Sequence, residues 1–600
     1  MCGIAGIFTL DGRKPDRQAL KRMHDSMLHR GPDGSQVVLY PGMGIVHLRL
    51  AIIDLEGGSQ PIHAAGQPAD DPQAPQPGVV TNGEIYNYLE LRQQISDWDW
   101  QTVSDAEVVL PLWQRYGLDF TRHLRGMYAI AVFDPAHGEA VLARDPMGIK
   151  PLYYAETAAG IVFASEAGAL RSSGLVDFSL SASGMARVLD TQLMEGADTV
   201  FTGIRRLAPG ELLHIRNGRI VSRRIDPLLE TNMATVLPPP QPSGSMAAML
   251  GQMESVLTES VELHLRSDVP YGLFYSGGVD STVLLALMRR LEGTPPVAYT
   301  VSFDDQSAEE WLLHARQVAA QFDVQAVDIR YGQTQFWEQA GQAVAATDDP
   351  IADYAILPTW HLAREARRDL TVVLSGEGGD EGFAGYSRYR TASRTLFARP
   401  PRCRPGPALK AGVLRSEIAT SLQDYLGMID THPVATDSRL NAALRRDLHG
   451  WLPDNLLLKL DRCLMAHGLE GRTPLLDRMV TGFGFQLPER LLIRGRHGKW
   501  LLKTWLELEV PASRPFAAKR GFTPPVGNWI NAAADQLAPL IANQPLIDEL
   551  AVPAAVEQVI RSGKDTMLSW RLLYLALWHQ IHICKIDPNQ PLDAILAARI

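Results

Sequence analysis

A proline-rich segment near the middle of the chain constrains the fold more than any other feature of the sequence. Residues 238–242 carry four prolines, and Gly244 follows them. This composition is typical of a linker, and the sequence pattern changes across it. A chain of 600 residues also exceeds the usual size of one domain. We therefore predict two domains, at residues 2–210 and 246–600, joined by a connector at residues 211–245.

The part before this segment is predicted to be an antiparallel α+β structure. Its short runs of apolar or alternating residues are bounded by turn residues, as half-buried strands are. Helical spacing is rarer and occurs at Leu20, Met23 and Met27. Runs of strands with few helices indicate an α+β architecture. The runs predicted as strands are residues 3–8, 44–54, 79–82, 127–133, 140–144 and 161–164.

The part after the segment alternates apolar runs with amphipathic helical patterns. Residues 271–275, 297–303 and 370–374 are predicted strands, and a helix is predicted around Trp311. Alternation of strands and helices indicates a parallel sheet with crossover helices, an α/β architecture. Beyond Tyr389 the pattern is mostly helical.

Composition and charge argue against several classes of function. The net charge is −10 with both signs interspersed, which argues against a nucleic-acid partner. No run approaches the ~20 apolar residues of a membrane span, so we expect no membrane partner. The four cysteines lie far apart without metal-ligand spacing, as expected in a reducing cytoplasm. They are Cys2, Cys403, Cys463 and Cys584.

Cys2 is a candidate nucleophile because it directly follows Met1. If Met1 is removed, one residue carries both a thiol and an α-amine. The amine has an ordinary pKa of about 7.7–8.0, so it can act as the base for its own thiol near neutral pH. An incidental cysteine near the start of the chain is the alternative interpretation.

A glycine-containing loop at residues 276–281 is predicted to bind phosphate. It follows the strand predicted at 271–275 and leads into a helix, whose N-terminus favours negative charge. Asp280 suits a magnesium-bound polyphosphate. The sequence lacks the Walker, dinucleotide and nucleophile-elbow motifs, which argues against those classes of protein. An ordinary strand–turn–helix corner is the alternative.

A second loop, at residues 375–381, follows the strand predicted at 370–374. Because ligands sit beyond the carboxyl ends of parallel strands, we expect both loops to open into one crevice. Asp280 and Asp380 are the candidate ligands for Mg²⁺, and Glu377 is a candidate for acid–base chemistry or for holding an amine. A solvated acidic turn is the alternative.

The two loops and several other motifs of the chain resemble those of a known family. Residues 276–281 and 375–381 are similar to the synthetase half of glutamine-hydrolysing asparagine synthetases, and the order of the motifs matches across nearly the whole chain. The resemblance implies an N-terminal αββα sandwich of the Ntn-hydrolase type and a C-terminal domain like the adenine-nucleotide α-hydrolases. The motifs that resemble class II glutamine amidotransferases are residues 2–6, 29–34, 82–87 and 144–154.

The resemblance implies a glutaminase site in the first half. Cys2 would attack the glutamine side-chain amide, and donors from Asn82 and Gly83 would stabilise the oxyanion. A guanidinium would hold the α-carboxylate as a bidentate fork, and two carboxylates would hold the α-ammonium. The glutamine-binding residues implied are Arg49, Ile53, Asn82, Glu84 and Asp105.

The resemblance also implies that the second half activates a carboxylate with ATP and Mg²⁺. The carboxylate would attack the α-phosphate, giving an acyl-adenylate and pyrophosphate, and ammonia would then displace AMP. Glu377 would assist the amine step, and Lys519 would contact phosphate. The implied ATP-binding residues are Phe274, Ser276, Gly277, Gly278, Asp280, Ser281, Val301, Ser375 and Gly376, with Asp280 and Asp380 as metal ligands.

The identity of the acceptor acid stays open at the level of sequence. The segment at residues 349–359 lacks the arginine that many asparagine synthetases carry near Asp353, for which Arg388, Arg390 or Arg472 could substitute. Aspartate is one acceptor hypothesis, and a sugar, peptide or secondary-metabolite carboxylate is another. The third hypothesis is a relative that has lost catalysis or does not use ammonia, such as a regulatory binding protein or a cyclase that forms an intramolecular amide. The presence of Cys2, Arg49, Asn82 and Asp105 argues against it. Either way the expected partners are small molecules, glutamine and ATP among them, and a homodimer is left open.

Overall fold

The structure is a computed structural model that describes residues 2–64, 76–225, 243–293, 296–304, 306–393, 405–429, 438–518 and 524–598. The prolines of the predicted connector and Lys519 lie outside these ranges.

The first half is a sandwich of two antiparallel sheets. The strand orders are β10-β8-β9-β1-β3-β2 and β12-β11-β7-β6-β5-β4. The strands are β1 (Gly3–Thr9), β2 (Gly34–Tyr40), β3 (Met43–Arg49), β4 (Ile62–His63), β5 (Gly78–Ile85), β6 (Gly126–Asp134), β7 (Glu139–Arg144), β8 (Tyr153–Thr157), β9 (Gly160–Ala164), β10 (Arg205–Arg206), β11 (Glu211–Arg216) and β12 (Arg219–Ile225).

Helices cover both outer faces of this sandwich. Apolar residues such as Ile4, Phe133 and Phe163 fill the space between the sheets. The helices are α1 (Arg17–Ser26), α2 (Tyr88–Gln94), α3 (Val109–Tyr116), α4 (Ala167–Ser172) and α5 (Ala182–Thr191). Helix α1 packs on the first sheet, and α3 shares a buried cluster with the second. The αββα architecture is therefore confirmed.

Two sequence-based boundaries differ from the structure. The run predicted as a strand at 44–54 ends at Arg49, because the chain turns there and Asp54 adopts a positive φ of 56°. Residues 211–225, assigned above to the connector, form β11 and β12 of the second sheet. Strand β12 is an exposed edge strand, so its sequence is polar and resembles that of a linker.

The second half is built on a five-stranded parallel sheet with the order β15-β14-β13-β16-β17. The order reverses between β13 and β16, and ligands of parallel sheets bind at such a switch point. The strands are β13 (Tyr271–Phe274), β14 (Val297–Phe303), β15 (Gln325–Tyr331), β16 (Val372–Leu374) and β17 (Glu470–Arg472).

Helices flank this sheet, and the described residues beyond Tyr389 are mostly helical, as predicted. Those up to β17 are α6 (Met246–His264), α7 (Val279–Glu292), α8 (Gln306–Ala320), α9 (Gln333–Ala345), α10 (Ile356–Ala366), α11 (Gly379–Gly382), α12 (Ser387–Ala392), α13 (Pro407–Ala411), α14 (Ser416–Ile429), α15 (Arg439–His449) and α16 (Leu458–Met465). Those after it are α17 (Arg478–Gln486), α18 (Glu489–Leu492), α19 (Trp500–Glu509), α20 (Val526–Ala532), α21 (Ala534–Ala542), α22 (Pro545–Leu550), α23 (Pro553–Ser562), α24 (Thr566–Trp578) and α25 (Leu592–Ala597).

Buried ion pairs join the two halves. The Arg30 guanidinium contacts Asp461 at 2.8 and 3.1 Å, and Arg206 contacts Asp349 at 2.6 Å. Apolar residues of the first half also pack into the second, because Leu50 belongs to the cluster around β13 and α7. None of the helices in the described ranges has both the length and the apolar character that crossing a membrane requires.

Candidate functional site

Cys2 lies beside Asn82, between the two sheets of the sandwich. Cys2 directly precedes β1 and Asn82 lies on β5, in the other sheet. The Cys2 backbone nitrogen donates to Asn82 Oδ1 at 3.3 Å, and Asn82 Nδ2 donates to Ser165 Oγ at 3.5 Å. Burial raises the pKa of the Cys2 thiol. The nucleophile therefore needs a base close by, such as the α-amine of the same residue.

Gly83 follows Asn82 in a conformation that favours glycine. Its φ is +149°, and a Cβ there would lie 2.0 Å from the Met127 carbonyl oxygen. The backbone can follow this course only because Gly83 lacks a side chain. The two residues assigned to the oxyanion thus stand on one strand next to the Cys2 nitrogen.

Two buried carboxylates form an anionic site next to these donors. Glu84 continues β5, and Asp105 Oδ2 accepts from the Ile85 backbone nitrogen at 2.7 Å. Burial raises the pKa of Asp105 to about 6, and burial and the nearby Asp105 charge raise the pKa of Glu84. Paired buried carboxylates are stabilised by a cation between them, which is what an α-ammonium supplies.

Arg49 stands at the end of β3 and is held by the loop that follows it. Its Nη1 donates to the Leu55 carbonyl at 3.0 Å, and its Nη2 donates to the Asp54 carbonyl. Ile53 lies half-buried in the same loop. These bonds orient the guanidinium, so a carboxylate ligand would meet a fixed fork of donors.

The predicted phosphate loop joins β13 to α7 at the switch point. Ser276 Oγ lies 3.1 Å from Ser281 Oγ, and Gly278 is the N-cap of α7. Gly277 has a φ of +69°, and a Cβ there would lie 2.8 Å from Ala315 Cβ. The turn therefore lies directly before the N-terminus of α7, and a helix N-terminus favours bound anions.

The second loop meets the first one at Asp280. A Cβ on Gly376 would lie 2.9 Å from Asp280 Cβ, and one on Gly379 would lie 2.3 Å from Asp280 Oδ1. The Ser375 nitrogen donates to the Arg472 carbonyl at 2.8 Å, which ties this loop to β17. The expectation that both loops open into one crevice agrees with this geometry.

Lys499 occupies the centre of the crevice and was not predicted from the sequence. Its Nζ lies 2.5 Å from Asp280 Oδ2 and 2.7 Å from Asp380 Oδ1. The two carboxylates raise the pKa of Lys499, so the ammonium stays charged. A lone lysine between Gly498 and Trp500 carries no local signal, since it precedes α19 more than a hundred residues away in sequence.

The two aspartates also suit the ion that the family resemblance implies. Mg²⁺ prefers oxygen ligands and commonly uses one or two carboxylates together with substrate phosphates. Asp280 and Asp380 converge on one Nζ, so their oxygens are close enough to share an ion. In the described ranges, no group of three or more histidines, cysteines or acidic residues could hold a metal alone. The donor set therefore fits Mg²⁺ only when phosphate oxygens complete it.

The residues matched to the adenine site lie on neighbouring strands. Phe274 ends β13 and Val301 lies near the end of β14, and both are half-buried. Both therefore flank the same end of the sheet as the phosphate loop. Lys519 cannot be placed, because it lies outside the described residues.

The three arginines suggested for the acceptor contact other groups. Arg388 donates to Asp447 at 2.7 Å, Arg390 donates to the Arg496 carbonyl, and Arg472 pairs with Glu470 at 2.6 Å. The cation beside Asp353 is instead Lys459, whose Nζ lies 2.9 Å from Asp353 Oδ2. A lysine inside the apolar run 456–460 was a sequence signal for this buried charge.

Comparison with known proteins identifies the family. A model described as a glutamine amidotransferase domain matches residues 1–225, and one described as asparagine synthase matches residues 252–580. The chain belongs to the glutamine-hydrolysing asparagine synthetase family. A relative named glutamine-hydrolysing asparagine synthetase 1, from Bacillus subtilis, is 28% identical over 98% of this chain and 97% of its own.

Other relatives of the chain are named after different activities. Asparagine synthetase B of Escherichia coli is 26% identical over 91% of this chain and 86% of its own. An amidase of Penicillium rubens is 26% identical over 83% of this chain and 73% of its own. Family membership therefore accounts for both halves of the chain and leaves the acceptor open.

Proposed function

We propose that this chain is a glutamine-dependent asparagine synthetase. Cys2 attacks the amide carbon of glutamine, ammonia leaves, and water hydrolyses the thioester to glutamate. In the second half, a carboxylate oxygen of aspartate attacks the α-phosphorus of ATP and pyrophosphate leaves. Ammonia then forms the amide bond and AMP departs. The observation that carries the proposal is the presence, in one chain, of Cys2 beside Asn82 and of two loops that meet on Asp280 at a switch point.

The groups of each site have roles that suit this chemistry. Asn82 and Gly83 would donate to the oxyanion, and preorganised donors of this kind supply a large part of acyl-transfer catalysis. Glu84 and Asp105 would hold the glutamine ammonium while Arg49 binds its carboxylate. Ile53 would line the same pocket.

In the second half, the serines and glycines of the two loops would bind the phosphates. Asp280 and Asp380 would hold Mg²⁺, which when bound would offset the charge of the pyrophosphate. Lys499 would supply the same neutralisation before the nucleotide arrives. Glu377 would accept a proton from the attacking ammonia, and Lys519 would contact phosphate.

Ammonia must travel between the halves without being protonated by bulk water. The buried pairs Arg30–Asp461 and Arg206–Asp349 support a closed interface between them. Cytoplasmic ammonia would otherwise be present largely as ammonium, which is not a nucleophile.

One experiment tests the whole proposal. Release of pyrophosphate is measured with glutamine, ATP, Mg²⁺ and L-aspartate, and the nucleotide product is identified. AMP and asparagine are expected in equal amounts. ADP in place of AMP would rule out the adenylate route.

A second experiment tests whether glutamine hydrolysis belongs to the first half and amide synthesis to the second. Cys2→Ala should abolish glutamine-dependent synthesis and leave synthesis from ammonium salts intact, since the thiol acts only in the first half. Cys584→Ala, in the second half and away from both sites, is the matched control and should retain both activities. Equal loss of ammonia-driven turnover in Cys2→Ala would contradict the assignment.

The alternative is the same chemistry on another carboxylate. It is favoured by the missing arginine near Asp353 and by the amidase among the relatives. Pyrophosphate release with a sugar acid or peptide, and none with aspartate, would establish it.

A further inference from the structure

A cavity of about 280 Å³ lies between the two halves, apart from the residues of both candidate sites. The first half contributes Arg144, at the end of β7, and the second half contributes His449 and Asp454, at and just after the end of α15. The volume is many times what one water molecule needs and is close to that of small-molecule sites. Ile225 of β12 lines the same cavity and is 43% exposed, so a small molecule can enter there from solvent.

The guanidinium of Arg144 is buried at this cavity without a counter-charge beside it. Its Nε, Nη1 and Nη2 donate to the carbonyls of Lys150, Leu207 and Gly148 at 2.8, 2.6 and 2.7 Å. These bonds leave one N–H on each terminal nitrogen, which is the number that a bidentate carboxylate uses. No carboxylate of the described residues forms an ion pair with Arg144, and burial lowers its pKa. An anion in the cavity would therefore stabilise this charge.

Asp454 places the opposite charge on the wall of the same cavity. Its Oδ2 accepts from the Gly196 nitrogen at 2.7 Å, and its Oδ1 makes a long ion pair with Arg206 Nη1 at 3.6 Å. Burial raises the pKa of Asp454 to about 6, so the carboxyl is mostly ionised at pH 8. Burial lowers the pKa of His449 to about 4, so this imidazole stays neutral. The cavity thus carries one cation and one anion that do not pair with each other.

The rest of the cavity wall is mainly apolar. Leu207, Ala208 and Pro209, in the turn between β10 and β11, line it together with Ile225. A polar group placed against such a wall loses its hydrogen bonds to water without replacement, whereas an apolar group gains from burial. The cavity therefore suits a small molecule that carries a carboxylate, an ammonium and an apolar side chain.

We propose that this cavity is a further binding site, which takes a free α-amino acid with an apolar side chain. Arg144 binds its carboxylate and Asp454 binds its ammonium. The site is independent of the proposed function, because no residue assigned to glutamine, ATP or metal lines the cavity. Since both halves contribute to the wall, the bound amino acid holds them together and stabilises the folded chain.

A panel of ligands tests the site in the wild-type full-length chain. Binding of labelled L-leucine at millimolar concentration is measured by equilibrium dialysis at pH 8. The competitors are 4-methylpentanoate, which lacks the ammonium, 3-methylbutylamine, which lacks the carboxylate, and L-asparagine, whose polar side chain has a similar shape. We expect each to displace L-leucine about tenfold or more less well than unlabelled L-leucine does. Absence of L-leucine binding, or equal displacement by L-asparagine, would overturn the proposal.

Variants place the binding in this cavity. Ala208→Phe should fill the cavity and abolish L-leucine binding. Asp454→Asn keeps an oxygen for the Gly196 nitrogen but loses the charge, so L-leucine should bind about tenfold or more weakly while 4-methylpentanoate does not weaken. Asp424→Asn, an exposed aspartate on α14, is the matched control. Asp105→Asn should retain binding, which separates this cavity from the glutamine site.

The melting temperature gives an independent readout. L-Leucine should raise it for the wild type and for Asp424→Asn, and should not raise it for Ala208→Phe. Binding of L-leucine to Ala208→Phe as tight as to the wild type would overturn the assignment to this cavity. If Asp454→Asn fails to fold, Ala208→Phe and the ligand panel decide.

Discussion

At the scale of single residues, burial of charged groups changes their pKa at both sites. Asp105 is 6% exposed and Glu84 is 4% exposed. A carboxyl group that loses water is easier to protonate unless a cation compensates. Arg472 Nη2 forms an ion pair with Glu84 Oε2 at 3.6 Å, but the Arg472 charge does not outweigh the rise that burial causes in the pKa of Glu84 and of Asp105. The site is therefore prepared for a cationic ligand group.

The raised pKa of Asp105 predicts a pH dependence of glutamine use. Below about pH 6 the carboxyl becomes protonated and no longer attracts the substrate ammonium, so kcat/KM for glutamine should fall as the pH is lowered. The measurement is glutamate release between about pH 5 and pH 8. Asp105→Asn should show low activity without this step. A wild-type profile that stays flat down to pH 5 would contradict the assignment.

At the scale of elements, the turn between β13 and α7 depends on Gly277. Gly277 has a left-handed φ and faces Ala315 on α8. Helix α8 packs directly against this turn, so a side chain at position 277 would displace the turn or the helix. Trp311 of the same helix donates to the Ser276 carbonyl at 2.6 Å.

A pair of substitutions at the two ends of α7 tests this close approach. Gly277→Ala should raise the KM for ATP about tenfold and lower the melting temperature, because its Cβ would meet Ala315 at 2.8 Å. Gly293→Ala, at a φ of +66° with no atom of the described residues within 4 Å, is the control. It should cost only the ~1 kcal/mol of left-handed strain. The same KM for ATP in both variants would contradict the steric explanation.

At the scale of the whole molecule, buried ion pairs hold the two halves in one arrangement. Arg206 of β10 binds Asp349 with two nitrogens and lies 3.6 Å from Asp454. Removing one partner of a buried pair leaves an uncompensated charge, which commonly costs about 3–5 kcal/mol. The interface is therefore sensitive to single substitutions far from either site.

Arg206→Met should loosen the interface and uncouple the two reactions. We expect a lower melting temperature and more glutamate than AMP, because ammonia escapes before it reaches the acyl-adenylate. Arg368→Met is the control, since the Arg368 side chain is 71% exposed and a surface pair such as the one it forms with Glu365 is worth about 1 kcal/mol or less. A glutamate-to-AMP ratio of one in Arg206→Met would show that the interface does not contain the ammonia.

Much of the architecture followed from local patterns in the sequence. The parallel sheet and the antiparallel α+β class of the first half were predicted because strand and helix periodicities differ along the chain. The αββα sandwich was implied by the family resemblance. Short edge strands such as β4 and β10, of two residues each, carry too little pattern to be predicted. The strands β11 and β12 are longer, and they were assigned to the connector because the exposed edge strand β12 has the polar sequence of a linker.

The sequence by itself determined the family, the two halves and the residues that follow glycine turns, because a turn and its neighbours are encoded within a few consecutive positions. Only the tertiary structure decided which cations meet the carboxylates. Lys499 reaches Asp280, and Lys459 reaches Asp353, across more than a hundred residues. Electrostatic pairing depends on distance in space, and packing sets that distance without a local signature.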